Sequence, residues 1–502
     1  MVNTIVADGA GTQGTPIVRA AADGGVWVFF WQNSQKPMIQ RLTANGDRVF
    51  AGNGIQLANR LNTASFTSDM RVDAAGIAYA SFDDNSSGTT ATTVQKILPD
   101  GTLPWAAAGI QMPASSTSFS TRVAPCADGT IVCVYAGSTT SLTLQRINPD
   151  GSLVPGENWS INEASRGLSP SDLIPGASGG DVILMWVRGE TTSFSSRKGL
   201  KIQKFNATHV AQWNGGVPLD VYTSNATPNR SIQSGYFPIL VPDGTGGAIA
   251  AWYETGGGRN AWLQHVTAAG VFKFAQDGLG MGVAAPVELR LSAAVAFDQG
   301  SGEYVVAYER ANSNQSLFGL GAQRVNSAGA LQWGTGLSVL PIASNHKSFI
   351  AARPAPSNST VISWLDYQGA NFPMLVDAVR LDNTGTNVWG SILGVCTSPT
   401  TKGRHSLTST IGADMMVSVW SDDGAGTTDT KAQNINMNGT LGAAPCYADF
   451  NGDGGIDGAD VEAFFVIWAD GGDAADVNKD GGVNGADVET FFIAWEAGAC
   501  PT

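Results

Sequence analysis

The 502-residue sequence predicts an all-β fold of eight similar four-stranded units with a small α-helical module at its C-terminal end. Three observations carry that expectation. An aromatic residue closing an apolar, β-type run recurs eight times. The chain is rich in glycine (62 residues) and poor in charge, at 14% against the roughly 25% usual for soluble domains. The acidity is concentrated at one end: residues 446–502 hold twelve acidic residues and one base, Lys479, of a total of 42 acids and 28 bases.

The recurring aromatic stands at Trp31, Phe82, Tyr135, Trp186, Trp252, Tyr308, Trp364 and Trp420, at intervals of 51 to 66 residues. Runs such as Val26-Trp27-Val28-Phe29-Phe30-Trp31 have the length and β-branched or aromatic content of strands. A glutamine in an apolar strand follows, at Gln40, Gln95, Gln145, Gln203, Gln264, Gln323 and Gln433; repeat seven has Val379 instead. A glycine turn comes next, at Gly46, Gly101, Gly151, Gly270, Gly329, Gly385 and Gly439. Four residues on stands an aromatic in five repeats: Phe50, Trp105, Phe274, Trp333 and Trp389. Trp159 and Trp213 are placed less regularly.

Each repeat therefore holds four short strands in some fifty-five residues, the unit of a β-propeller. Separate sandwich domains would need about twice that length. The intervals also predict closure. Fourth strands precede the next aromatic by 25 to 27 residues, and Ile5 precedes Trp31 by 26. Thr4-Ile5-Val6-Ala7 is thus expected to be the fourth strand that repeat eight lacks, closing the ring and removing its open edges. The expected domains are an eight-bladed propeller over 1–441, a linker at 442–445 and a separate module over 446–502. The propeller part resembles a bacterial extracellular repeat of the form aromatic strand, Q-R-apolar, then G-x-x-x-W, carried best by Gln323-Arg324-Val325 through Gly329 and Trp333-Gly334. The resemblance implies a fold and no single chemistry.

The C-terminal module contains a duplicated twelve-residue loop. Asp449, Asn451, Asp453, Gly455, Asp457 and Asp460 occupy positions 1, 3, 5, 7, 9 and 12. Asp476, Asn478, Asp480, Gly482, Asn484 and Asp487 repeat them 27 residues later. Oxygen donors at this spacing, with glycine at position 6 and a backbone carbonyl at position 7, suit Ca²⁺. Position 12 is Asp, where such loops usually carry Glu. Loop one has four carboxylates and loop two three, so the second site is expected to be weaker. Each loop precedes an amphipathic helix, with Val461, Phe464, Phe465 and Trp468 on one stripe and Val488, Phe491, Phe492 and Trp495 on the other. Both stripes are expected to be core.

Two such half-hands in tandem resemble a type I dockerin domain over residues 446–502. The resemblance implies two Ca²⁺ sites and docking onto a cohesin-like receptor through Gly458-Ala459 and Gly485-Ala486 at the loop ends. Those pairs are identical, which would permit two binding orientations. Cys446 and Cys500 bracket the module; a bond between them would close a 55-residue loop, worth roughly 4 kcal/mol. Cys126, Cys133 and Cys396 are left without a pairing and read as buried thiols. A disulfide beside calcium loops points to an extracellular or cell-surface setting. Met1-Val-Asn-Thr carries no basic and apolar leader, so export is expected after removal of one or by another route.

Motifs of catalysis are missing. The four histidines form no H-E-x-x-H, and there is no G-x-S-x-G, P-loop or C-x-x-C. No apolar run reaches the ~20 residues of a membrane helix. An acidic chain without a basic stripe is a poor nucleic-acid partner. One coincidence stands out: two residues past the repeat aromatic lie Asp84, Glu254, Asp366 and Asp422. They mark one face of the ring, with Asp366 and Asp422 on adjacent blades. A metal or sugar site is one reading; acids capping strand ends is the plainer and preferred one. The functional expectation is a non-catalytic extracellular binding or scaffold propeller tethered by its calcium module. The alternatives are a carbohydrate-active enzyme carried by a dockerin, and a filament subunit whose C-terminal module grips a neighbouring copy.

Overall fold

The computed structural model describes residues 3–62, 67–113, 120–226, 229–256, 259–282, 288–369, 373–411, 415–424, 427–443, 446–451, 453, 455–477 and 482–498. Eight four-stranded antiparallel sheets follow one another along the chain. Blade four is typical: Leu168–Pro175, Val182–Gly189, Lys198–Phe205 and Leu219–Tyr222 pair in sequence order. Blade eight combines Lys402–Ser409, Met415–Asp422 and Asp429–Asn436 with Thr4–Ala7, which pairs antiparallel with Asp429–Asn436. The chain is an eight-bladed β-propeller closed by its N-terminal strand, as the intervals predict.

No single core exists. A separate apolar cluster lies between each pair of consecutive blades, including the eighth and first. Second strands supply the largest share of it, because both of their faces are covered. Trp27, Trp186, Trp252, Trp364 and Trp420 are fully buried.

The sequence signature is the lock between blades. Six of the seven turn glycines pack against the aromatic of the preceding blade; Gly46 instead faces Thr4 of the closing strand. A Cβ on Gly151 would lie 2.8 Å from the Trp105 ring, and one on Gly439 would lie 2.8 Å from Trp389. Both glycines also sit at positive φ, 92° and 84°, so side chains are excluded twice over. The indole N–H then reaches the next blade: Trp105 donates to the Pro149 carbonyl (3.0 Å), Trp213 to Ala268 (3.0 Å) and Trp389 to Met437 (2.9 Å). The recurring glutamine holds that aromatic in place. Gln323 accepts from the Trp333 N–H (2.9 Å) and donates to the Gly334 carbonyl (2.9 Å); Gln203 treats Trp213 likewise. These amides satisfy backbone, as a repeated buried amide should.

The irregular Trp159 takes the same packing position, but its indole N–H finds no hydrogen-bond partner among the described residues. In blade four the turn glycine is replaced by His209, at φ 52°, whose ring stacks on Trp159 at 5.2 Å.

Two helices follow the propeller: α1, Gly458–Ala469, and α2, Gly485–Ala497. No helix among the described residues is long and apolar enough to cross a membrane. Cys126, Cys133 and Cys396 are buried free thiols. Cys500, half of the expected bridge to Cys446, lies outside the described residues.

Candidate functional site

The two C-terminal loops close in the same way. Asp457 caps α1 by accepting from the Ala459 N–H (2.8 Å), while the Asp460 carboxylate reaches back to the Asp457 N–H (2.8 Å). Asn484 and Asp487 repeat both bonds at α2 (2.8 Å each). These are reciprocal capping boxes, which also place negative charge at the positive helix ends. Aspartate at position 12 has the reach for this box. Its other oxygen accepts from the Asn451 N–H (3.1 Å), tying position 12 to position 3. Both Asp460 and Asp487 are fully buried.

Within loop one, Asp453 accepts from Asn451 Nδ2 (3.0 Å) and from the Gly455 N–H (2.8 Å). Asn478 and Asp480 lie outside the described residues. Among the described residues no three His, Cys, Asp or Glu side chains gather as a metal cluster. The donor set of loop one is nonetheless all oxygen, and its ends are held together by the Asp460 bonds. That chemistry fits a hard divalent cation and no soft one.

The helices pack face to face through Phe464 and Phe491, both fully buried, stacked at 4.3 Å with planes 2° apart. The two tryptophans do something the core reading misses. Each donates its indole N–H to the position-9 carbonyl of the opposite half: Trp468 to Asn484 (2.9 Å) and Trp495 to Asp457 (3.0 Å). Both are only partly buried. Phe465, on the same stripe, is 38% exposed. A helical stripe gives the side of the helix and not the depth of each residue, so only its centre was legible as core.

On the propeller, the four marked carboxylates stand at second-strand ends, each engaged by a neighbour. Asp84 accepts from Arg60 Nε (2.8 Å) and Thr93 (3.1 Å). Glu254 accepts from the Tyr222 hydroxyl and from Trp262 Nε1 (3.2 Å). Asp366 pairs with Lys347, and Asp422 with Lys402 (3.4 Å) and Lys431 (3.6 Å). Lys347–Asp366 and Lys402–Asp422 are the same cross-strand pair in adjacent blades. Each lysine holds its aspartate within its own blade.

The closer companion of Asp366 is Asp377, which the sequence reading passed over. Asp377 sits on the neighbouring strand Met374–Leu381, opposite Trp364 and diagonal to Asp366. Burial first, then the charge of Asp366 and a hydrogen bond to it, pushes Asp377 up to about 7. A lone acid between Val376 and Ala378 in a buried strand was the signal.

A cleft of about 270 Å³ opens on blade four and is lined by Arg166, Arg188, Glu190, Lys201, Asp220 and Tyr222. Arg188 holds the position two past Trp186, so counting bases as well as acids in that series would have found it. Its charges are paired, Lys201 with Asp220 across the cleft (2.9 Å), and Glu190 and Arg188 with Arg197 (2.7 Å) and Glu163 (2.5 Å) outside the lining. His405, between Ser363 (3.1 Å) and Ser418 (3.0 Å), resembles a nucleophile–base pair. Burial pushes it down to about 4, its Nδ1 meets the Phe349 carbonyl (2.9 Å) where a triad would have a carboxylate, and Ser363 is fully buried. It is a polar filler between blades seven and eight.

No family model and no curated protein matches the chain. Among solved structures, it is similar to the BP39L lectin from Burkholderia pseudomallei, at 12% identity over 75% of this chain and 97% of the lectin, TM-score 0.47. It is similar to the polysaccharide lyase Uly1, at 9% identity over 84% and 90%, TM-score 0.43. An α-L-arabinanase from Penicillium chrysogenum is similar at 11% identity over 74% and 93%, TM-score 0.36.

Proposed function

We propose that this chain is an extracellular, non-catalytic binding or scaffold propeller, attached to a cohesin-like receptor by a calcium-dependent, dockerin-like C-terminal module. The observation that carries the reading is the doubled loop closure: position 12 ties back to position 9 in both halves, through Asp460 and Asp487. Asp449, Asn451, Asp453, the Gly455 carbonyl, Asp457 and Asp460 would hold one Ca²⁺. Asp476, Asn478, Asp480, the Gly482 carbonyl, Asn484 and Asp487 would hold the other. Bound metal would neutralise the crowded carboxylates and fix the loop ends, Gly458-Ala459 and Gly485-Ala486, for docking.

The non-catalytic part rests on the neutralised face. Every marked carboxylate is matched by a cation or donor, Asp366 by Lys347 among them. Carbohydrate remains a ligand class open to the propeller. Incubation of the full chain with a polysaccharide panel between pH 5 and 8 is expected to release no reducing ends. Release that is lost in Asp366→Ala and Asp377→Asn would favour the enzyme reading.

A further inference from the structure

The innermost strands of the blades line the axis of the ring, and six of them carry arginine; Arg290 on Glu288–Asp298 pairs with Glu288 on its own strand and Arg404 on Lys402–Ser409 is exposed, which leaves Arg19 on Gln13–Ala20, Arg71 on Ser68–Val72, Arg122 on Arg122–Pro125 and Arg353 on Lys347–Ala355. They come from blades one, two, three and seven. Two buried carboxylates, Asp69 and Asp172, stand on the inner strands of blades two and four. Arg71 pairs with Asp172, a contact that passes over blade three and so runs through the axial space. Arg71 also lies 3.4 Å from Asp69, and Arg19 3.6 Å from Asp69.

The carboxylates are already committed. Asp172 accepts from the Leu240 N–H (2.7 Å) and Asp69 from the Val123 N–H (3.2 Å). A third acid, Asp83, comes near Arg122, but burial pushes it up to about 7. Arg122 is occupied by the carbonyls of Ser171 (2.9 Å) and Thr121 (2.7 Å). Arg353 donates to the adjacent Ala352 carbonyl (2.8 Å) and has no carboxylate partner among the described residues. Burial and mutual repulsion among Arg19, Arg71 and Arg353 push Arg19 and Arg353 down to about 10. They stay charged at neutral pH. A chain of net charge −14 thus concentrates unmatched positive charge on its axis.

Solvent reaches this charge, since the Arg19 and Arg71 side chains keep 28% and 19% of their exposure. Guanidinium forks match two-oxygen anionic groups, and charge-assisted bonds of this kind gain strength away from bulk water. We propose that the axial channel is an oxyanion site in which a carboxylate, sulfate or phosphate group is held between Arg19, Arg71 and Arg353. The group is either a free inorganic ion or the acidic function of a larger ligand such as a uronic acid. The site is independent of the C-terminal module.

The test is thermal unfolding and calorimetry of the full chain at pH 7 in calcium-free, low-salt buffer, titrated with phosphate, sulfate or glucuronate against chloride of equal ionic strength. An oxyanion is expected to raise the melting temperature in proportion to the logarithm of its concentration. Arg353→Gln is expected to weaken the apparent affinity about tenfold or more. It should also raise the melting temperature of the anion-free protein, by removing a like charge. Stabilisation by the inorganic ions alone assigns the free-ion source, and stronger stabilisation by glucuronate the acidic sugar. Oxyanion effects no larger than those of chloride, or effects that persist in Arg19→Gln/Arg353→Gln, would overturn the proposal.

Discussion

Removal of residues 1–8 is expected to lower the melting temperature of the propeller by roughly 5–10 °C and to make it self-associate. Val6 and Ala7 are wholly buried, and burying a valine stabilises by about 2 kcal/mol. The strand Thr4–Ala7 also completes a sheet, so its loss leaves the backbone of Asp429–Asn436 unpaired along one edge. It bolts other blades as well: Arg48 Nε donates to the Ile5 carbonyl (2.6 Å), and Asn3 Nδ2 to Gln433 (2.8 Å) and the Val395 carbonyl (3.2 Å). At about 1 kcal/mol for each such bond the total reaches about 5 kcal/mol. Calorimetry with sedimentation checks both outcomes; an unchanged melting temperature and a monomeric product would remove closure as a source of stability.

Phe491→Ala is expected to unfold the C-terminal module and leave the propeller intact. The ring is fully buried against Phe464, with Phe450 against its edge at 6.0 Å. Truncating such a phenylalanine costs about 3–5 kcal/mol. A module of this size has only about 3–5 kcal/mol to lose. In scanning calorimetry with Ca²⁺ the wild type should show two transitions, and Phe491→Ala should show the propeller transition alone. Persistence of both transitions would mean that the two helices do not depend on this stack.

How much of this was legible follows from where the information lies. The blades were readable because most repeat the same parts: a second strand covered on both faces, a glutamine bonded to backbone, a glycine under the aromatic of the preceding blade. Gly151 and Trp105 are neighbours in the ring, and the pattern that joins them repeats often enough to stand out. Blade four hid its part of the lock, because His209 can adopt the left-handed turn and stack on Trp159 where other blades use glycine. The duplicated spacing of oxygen donors was readable in the sequence itself. The crossed bonds from Trp468 to Asn484 and Trp495 to Asp457 were not, because a helical stripe does not say which atom lies opposite. The axial arginines were least legible. Arg19, Arg71 and Arg353 sit one to a strand, up to 334 positions apart, and only closure of the ring brings them together.

The central claim is that the carboxylate-rich C-terminal loops take up Ca²⁺ and thereby attach the propeller. Isothermal titration of Ca²⁺ into the full chain measures it most directly. Two sites are expected, loop one the tighter, with both heats abolished in Asp449→Ala/Asp476→Ala while the propeller still melts as in wild type. Absence of Ca²⁺ uptake by the wild-type chain, or uptake unchanged in that double variant, would contradict the account.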